Sequence, residues 1–175
     1  MSSDQWRAIP GWEGYYEAST SGQVRSIPRT VTSTTGVTAK RVGRIIRSRA
    51  SRTGYRLITL SRDGVAKTFT VHQLIALAFL GPRPERMAVC HNDGNRQNNA
   101  ATNLRYDTYS ANELDKVAHG THSQSRKTHC PKGHAYDEAN TIFTKGGRSR
   151  LCRTCNRASC AAAYQRRTLT QRSAS

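Results

Sequence analysis

The sequence predicts an α+β protein built of small modules: a β-rich N-terminal part, a central helix followed by a strand, loop, strand and helix, and a C-terminal ββα or ribbon-like unit. Three observations carry that expectation. Aromatic residues near the N-terminus are punctuated by turn dipeptides, one stretch around residue 75 has helical periodicity, and two Cys/His pairs bracket a Gly-Gly turn near the C-terminus. With 35% hydrophobic residues and three Phe in 175 residues, the chain supports two or three small cores rather than one large one.

The β-rich part opens with WRAIPGWEGYYEASTSGQVRSIPRTV. Trp6, Trp12, Tyr15 and Tyr16 are spaced by the turn pairs Pro10-Gly11 and Ser21-Gly22, and the Gly-x-Val-x-Ser spacing from Gly22 fits a short strand. Residues 30–40, TVTSTTGVTAK, read as a loop or hairpin tip. In KRVGRIIRSRASRTGYRLITLSRDG, apolar and basic positions alternate. Val42, Ile45, Leu57 and Thr59, with the Asp63-Gly64 turn, predict strands whose outer face carries arginine. In TVHQLIALAFLGP, Val71, Leu74, Ile75, Ala78 and Phe79 recur at helical spacing, and Gly81-Pro82 is a stop signal. His72 lies on the flank of that helix and reads as a histidine hydrogen-bonded at a domain interface rather than a catalytic one.

The stretch VCHNDGNRQNNAATNLRY holds five asparagines around His91. Val89 ends a strand, residues 92–95 form a turn, residues 103–106 a second strand, and Ser110-x-x-Glu113 is a capping box that starts a helix at Ser110 and places Asn112 in its first turn. Asparagine amides satisfy backbone groups that have no ladder partner, so the cluster is partly structural, with Asn103 placed to tie the loop across to the first strand. HGTHSQSRKTH then reads as a linker. The resulting divisions are residues 4–50, 51–118, 119–129 (linker), 130–167, and a disordered tail over 168–175.

The chain has 28 Lys+Arg against 11 Asp+Glu, a formal net charge of +17. Unbalanced cations repel one another unless a polyanion neutralises them, so nucleic acid is the expected partner, with no small-molecule substrate. Arg25, Arg29, Lys40, Arg41, Arg44, Arg47, Arg49 and Arg52 are the candidate DNA contacts. No apolar run approaches the ~18 residues of a membrane span, and MSSDQWRAIP has no signal-peptide core, so a cytoplasmic location without membrane partners is expected. There, cysteines serve as metal ligands or thiols rather than disulfides. Cys130-x3-His134 and Cys152-x2-Cys155, separated by 17 residues, have the spacing of a tetrahedral structural Zn²⁺ site, with Cys160 and His129 as spare candidates. Four protein ligands close such a site, which gives it a folding role.

The run Val89-Cys90-His91-Asn92-Asp93-Gly94-Asn95, with Asn98-Asn99, Asn103-Leu104 and Asn112, resembles the HNH (ββα-metal) nucleases, in particular the phage and intron-associated homing endonucleases. Ile-Pro-Gly-Trp-Glu-Gly-Tyr-Tyr and the Ser-x-x-Gly-x-Val-x-Ser pattern of the N-terminal part are similar to a modular DNA-binding motif that precedes such nucleases. The resemblance covers residues 6 to about 118. It implies a ββα-metal core over residues 51–118 and site-specific hydrolysis of double-stranded DNA, by a monomer, in the host bacterium's cytoplasm if phage-encoded. It also implies His91 as general base, Asn103 as the residue that orients the loop, and one Mg²⁺ or Mn²⁺ held by Cys90 and Asn112. Cys90 departs from the Asp or other hard ligand common at that position in the family, and a thiolate favours softer metals than Mg²⁺. Three alternatives follow: Cys90 binds Mn²⁺ or another transition ion, Asp93 or a phosphate oxygen substitutes, or activity is reduced. The rival functional class is a weakly active or inactive sequence-specific DNA-binding protein on the same scaffold. Cys90 and His91 make a poor cysteine hydrolase pair, because adjacent residues on a strand point to opposite faces.

Overall fold

The computed structural model describes residues 4–32, 35–144, 146–147 and 149–172. Short strands separated by the expected turns open the chain: β1 (Trp6–Ala8), β2 (Tyr16–Ser19), β3 (Val24–Ser26), β4 (Arg29–Thr32), β5 (Thr38–Arg41) and β6 (Arg44–Ile45). They form an antiparallel sheet of order β1-β2-β3-β6, while β4 and β5 make a separate hairpin in which Arg29 faces Arg41. The Thr-rich stretch is therefore the end of a hairpin; Ser33 and Thr34 lie outside the described residues.

A second sheet follows, of β7 (Arg49–Ala50), β8 (Arg56–Arg62) and β9 (Val65–Thr70), with Asp63 and Gly64 both at positive φ in the β8–β9 turn. The alternation on β8 has the opposite phase to the one expected. Ile58 and Leu60 point into the core, while Thr59 faces outward and shares a hydroxyl hydrogen bond with Thr68; Val42 and Ile45 are exposed. Period two fixes which residues share a face but not which face is buried, and the apolar side of helix α1 (Val71–Leu80) decides that.

α1 has the expected bounds. Val71, Leu74, Ile75 and Ala76 are buried with Ile9, Tyr16, Ala18, Val24, Ile58, Leu60 and Leu104 in one continuous cluster. The N-terminal strands, the second sheet and the central strands thus share one core, where the sequence suggested separate small ones. Tyr16 sits at the junction: its Oη donates to the Ser61 carbonyl (2.8 Å) and accepts from Ser61 N–H (2.9 Å).

β10 (Met87–His91) and β11 (Leu104–Thr108) pair antiparallel from Met87↔Thr108 to His91↔Leu104, and α2 (Tyr109–Ala118) packs on both. α2 begins one residue before Ser110. Thr108, in extended conformation, accepts from Ala111 N–H and caps the helix, so the Ser110 capping box is not the one used. The threonine lies at the strand end, where extended backbone already suits a cap.

The chain divides into two compact units, one ending at His119 and one starting at Gly120. In the second, β12 (Thr141–Thr144) and β13 (Ser149–Cys152) form a hairpin followed by α3 (Arg153–Arg172). The helix runs to Arg172 and so includes the first five residues of the expected disordered tail. Its polar sequence has no Gly or Pro stop between 153 and 172, and residues 173–175 lie outside the described ones. No helix among the described residues is long and apolar enough to cross a membrane.

Candidate functional site

His91 closes β10 and is only 7% exposed. Its Nε2 lies 3.2 Å from Asn99 Oδ1. The other end of the Asn99 amide donates to the Gln97 carbonyl (3.2 Å), and a carbonyl only accepts, so Oδ1 is the atom that faces the imidazole. Nε2 therefore carries the proton and Nδ1 the lone pair. Asn99 is itself buried. Nothing in a run of like asparagines distinguished it at the sequence level.

Two rings wall the imidazole. His72 packs at 5.2 Å and Tyr55 at 6.2 Å between ring centroids, Tyr55 also lies 4.9 Å from His72, and the Arg96 guanidinium covers Tyr55 at 4.9 Å. Arg96 is held there by a hydrogen bond to the Thr53 carbonyl (2.6 Å). His72 is thus a neighbour of His91, and its buried Nδ1 has no hydrogen-bond partner among the described residues, contrary to the expected hydrogen-bonded interface histidine. Burial, with the His91 ring adding to it, pushes its pKa down to about 4, so it is neutral at pH 7. Burial also holds His91 below the ordinary imidazole value, against the opposing pull of the Asn99 hydrogen bond and Asp93.

The loop between the strands is braced by its own amides. The Asp93 carboxylate accepts from Asn95 N–H (2.8 Å), Asn98 Nδ2 (2.7 Å) and Asn103 Nδ2 (2.9 Å). Asn103 Oδ1 accepts from Asp93 N–H (3.1 Å), its Nδ2 also donates to the Asn98 carbonyl (2.8 Å), and its own carbonyl accepts from Asn92 N–H (2.8 Å). Asp93 is consumed by this scaffold, which argues against it as a substitute metal ligand.

Cys90 is buried, at 1% exposure, and stands opposite Arg105 in the β10–β11 register. Arg105 bonds Asp107 (3.1 Å), Asn92 Oδ1 (2.6 Å) and Asp115 on α2. Desolvation raises the Cys90 pKa despite the nearby guanidinium, so the thiol keeps its proton. Asn112, in the first turn of α2, is half-buried and takes no part in the loop's hydrogen bonds. The resemblance implies a hard divalent ion at Cys90 and Asn112. A buried, protonated, soft sulfur is a poor donor to Mg²⁺ or Mn²⁺, so the residues present do not fit that ion.

The expected basic contacts separate into two groups. Arg25 is paired with Glu17 at 2.7 Å and covers the Trp6 ring at 4.1 Å, and Arg29 lies over Tyr15 at 4.8 Å; both are engaged inside the N-terminal part. Lys40, Arg41, Arg44, Arg47, Arg49 and Arg52 are exposed.

In the second unit, Cys130, His134, Cys152 and Cys155 bring their ligand atoms within 4.8 Å of one another. His134 Nδ1 is 3.3 Å from Cys130 Sγ, 3.3 Å from Cys155 Sγ and 3.6 Å from Cys152 Sγ, and Cys130 Sγ is 3.7 Å from Cys155 Sγ. A tetrahedron with Zn–S bonds of about 2.3 Å has edges of roughly 3.8 Å, so the donors are already spaced for such an ion. Cys155 N–H and Asn140 Nδ2 point at Cys152 Sγ (3.5 and 3.3 Å), the hydrogen bonds a thiolate ligand receives. Burial acts against ionisation at Cys152, but these bonds outweigh it and bring the thiol to about 6. Cys160 is exposed on α3 and His129 faces Thr128; neither belongs to the cluster.

Residues 4–61 match the NUMOD4 motif and residues 69–114 the HNH endonuclease family. The DNA endonuclease I-HmuI of Bacillus phage SP01 is 34% identical over 122 residues, 70% of this chain and 63% of that protein. An uncharacterized HNH endonuclease, L245, of Acanthamoeba polyphaga mimivirus is 29% identical over 133 residues, 76% of this chain and 34% of the relative. A solved structure of I-HmuI, described as DNA binding and cleavage by that HNH homing endonuclease, superposes with a TM-score of 0.54 at 35% identity, over 67% of this chain and 60% of the other. The chain spans less than two thirds of the length of these relatives. Sequence motif, ββα geometry and relatives agree that residues 69–114 are an HNH endonuclease segment, preceded by a NUMOD4 motif over residues 4–61.

Proposed function

We propose that this chain is a site-specific, homing-type DNA endonuclease that hydrolyses phosphodiester bonds of double-stranded DNA, acting as a monomer. The observation that carries the reading is the His91 tautomer. With Nε2–H given to Asn99, Nδ1 is the lone pair that removes a proton from water as it attacks phosphorus, and burial keeps that nitrogen unprotonated at neutral pH. Asn103 acts by holding the loop behind His91. Lys40, Arg41, Arg44, Arg47, Arg49 and Arg52 supply phosphate contacts, and Zn²⁺ at Cys130, His134, Cys152 and Cys155 holds the second unit folded.

Cys90 favours a second reading, a DNA-binding protein on this scaffold that cleaves weakly or not at all, because the position that carries a hard ligand in the family is a buried thiol here. Incubating supercoiled DNA that carries the chain's own genomic neighbourhood with Mg²⁺ or Mn²⁺ separates the two. Nicking or linearisation that falls by about 10²–10⁴ in His91→Ala supports the endonuclease. Binding without cleavage under every ion supports the second reading.

A further inference from the structure

The turn between β2 and β3 belongs to the NUMOD4 segment, yet it is packed against the backbone that carries Asn99. Gly22, at φ +88°, has no room for a side chain: a Cβ there would lie 2.6 Å from the Asn99 carbonyl carbon, 2.7 Å from its oxygen and 3.0 Å from Ala100 N. Next to it, the Thr20 carbonyl accepts from Ala101 N–H at 2.9 Å. The turn is clamped in its own right. The Asp4 carboxylate accepts from Ser21 N–H (2.9 Å), Ser21 Oγ (2.7 Å) and Thr20 Oγ1 (2.8 Å), and Thr20 N–H donates to the Gln5 carbonyl (2.9 Å).

We propose that this turn is a positioning element for His91. Asp4 fixes the turn, Gly22 and Thr20 fix the backbone of residues 99–101, and Asn99 fixes the proton on Nε2 and the plane of the ring. The N-terminal motif is then part of the catalytic geometry as well as a contributor of basic residues. Gly22, Thr20 and Asn99 touch no substrate in this scheme; they act through His91. The proposal rests on the reading of His91 as the base, and one arm of its test is independent of cleavage.

Gly22→Ala is compared with Gly14→Ala in the full, zinc-loaded chain. Gly14 has a similar φ of +76° but nothing within 4 Å of its Cβ position, so both variants carry the same backbone strain and only Gly22→Ala displaces Asn99. Three quantities are read: affinity for uncleaved DNA without added divalent ions, single-turnover cleavage rate, and the ¹⁵N signature of the His91 tautomer by NMR. Gly22→Ala is expected to keep its DNA affinity within about twofold, lose about tenfold or more in rate, and lose the single Nε2–H tautomer, while Gly14→Ala behaves as the parent. Asp4→Ala, at an exposed site, is the milder variant that decides the matter if Gly22→Ala does not fold; it should slow cleavage about threefold and broaden the same signal. If the folded variants keep the parent's tautomer signal and rate, the turn has no positioning role. A parent that cleaves no DNA sinks the nuclease reading alone, since the tautomer comparison still stands.

Discussion

His72 lies against His91 with ring centroids 5.2 Å apart, and the buried Nδ1 of His72 has no hydrogen-bond partner among the described residues. Two imidazoles so placed disfavour a charge on His72, and that makes the first unit acid-sensitive. As pH falls, the unfolded chain takes up a proton near 6.5 while folded His72 stays neutral down to about 4. The unfolded state binds more protons across that window, so stability falls with pH there, by roughly 3 kcal/mol in the limit. Both tryptophans, Trp6 and Trp12, lie in the first unit, so urea midpoints followed by their fluorescence report it alone. His72→Phe should flatten the dependence between pH 6.5 and 4; an unchanged slope would mean that His72 is not the group responsible.

The pH profile of kcat/KM reports the base in the free enzyme. Because burial lowers the His91 pKa, the acid limb should have its midpoint below 6.5, with cleavage undiminished just under neutrality. A midpoint above 6.5 would show that His91 is not buried as neutral imidazole in the active protein.

Cys90 should react with a thiol reagent far more slowly than exposed Cys160 in zinc-loaded protein. Replacing it with the hard ligand typical of the family, Cys90→Asp, should raise Mg²⁺-supported cleavage by about tenfold or more. Equal Mg²⁺ dependence in the two proteins would remove the explanation of weak activity offered by this position.

Removal of zinc should unfold the second unit and spare the first. Cys152→Ser is expected to lose the bound ion and the α3 helical signal while the tryptophan-detected transition stays in place, since few apolar residues of that unit are buried apart from the ligands. Helicity that survives complete zinc removal contradicts this.

Salt dependence distinguishes the two sets of arginines. Replacing Arg44 or Arg47 by Ala should lower the slope of log affinity against log salt by about one, whereas Arg25→Ala should leave that slope unchanged, because Arg25 is neutralised by Glu17. Equal effects on the slope would show that the Glu17 pair opens when DNA binds.

Much of this was legible in the sequence. α1, the central strand, loop, strand and helix, and the four-ligand cluster all announce themselves through spacing: the 3.6-residue period at Val71, Leu74 and Ile75, the Asn-Asp-Gly turn after His91, and the paired Cys/His ligands. What failed to show were the facts that depend on one element meeting another. The phase of β8 is set by α1, the cap of α2 by the end of β11, and the partners of His91 by a loop in which the asparagines are chemically interchangeable. His72 reads from the sequence as an interface residue because a sequence shows that a helix has a flank and does not show what stands opposite.

The Tyr16 hydroxyl, bonded to both backbone atoms of Ser61, spans the seam between the first two sheets. Recombination that exchanged the N-terminal motif between nucleases, with a breakpoint anywhere from residue 62 to 68, would have to carry a matching inner surface along with it. A foreign partner would leave Ile9, Ala18 and Val24 facing side chains of the wrong shape, at about 1–3 kcal/mol for each misfit. Exchange of residues 4–61 between chains therefore preserves the fold only where the buried faces on either side of the seam already agree.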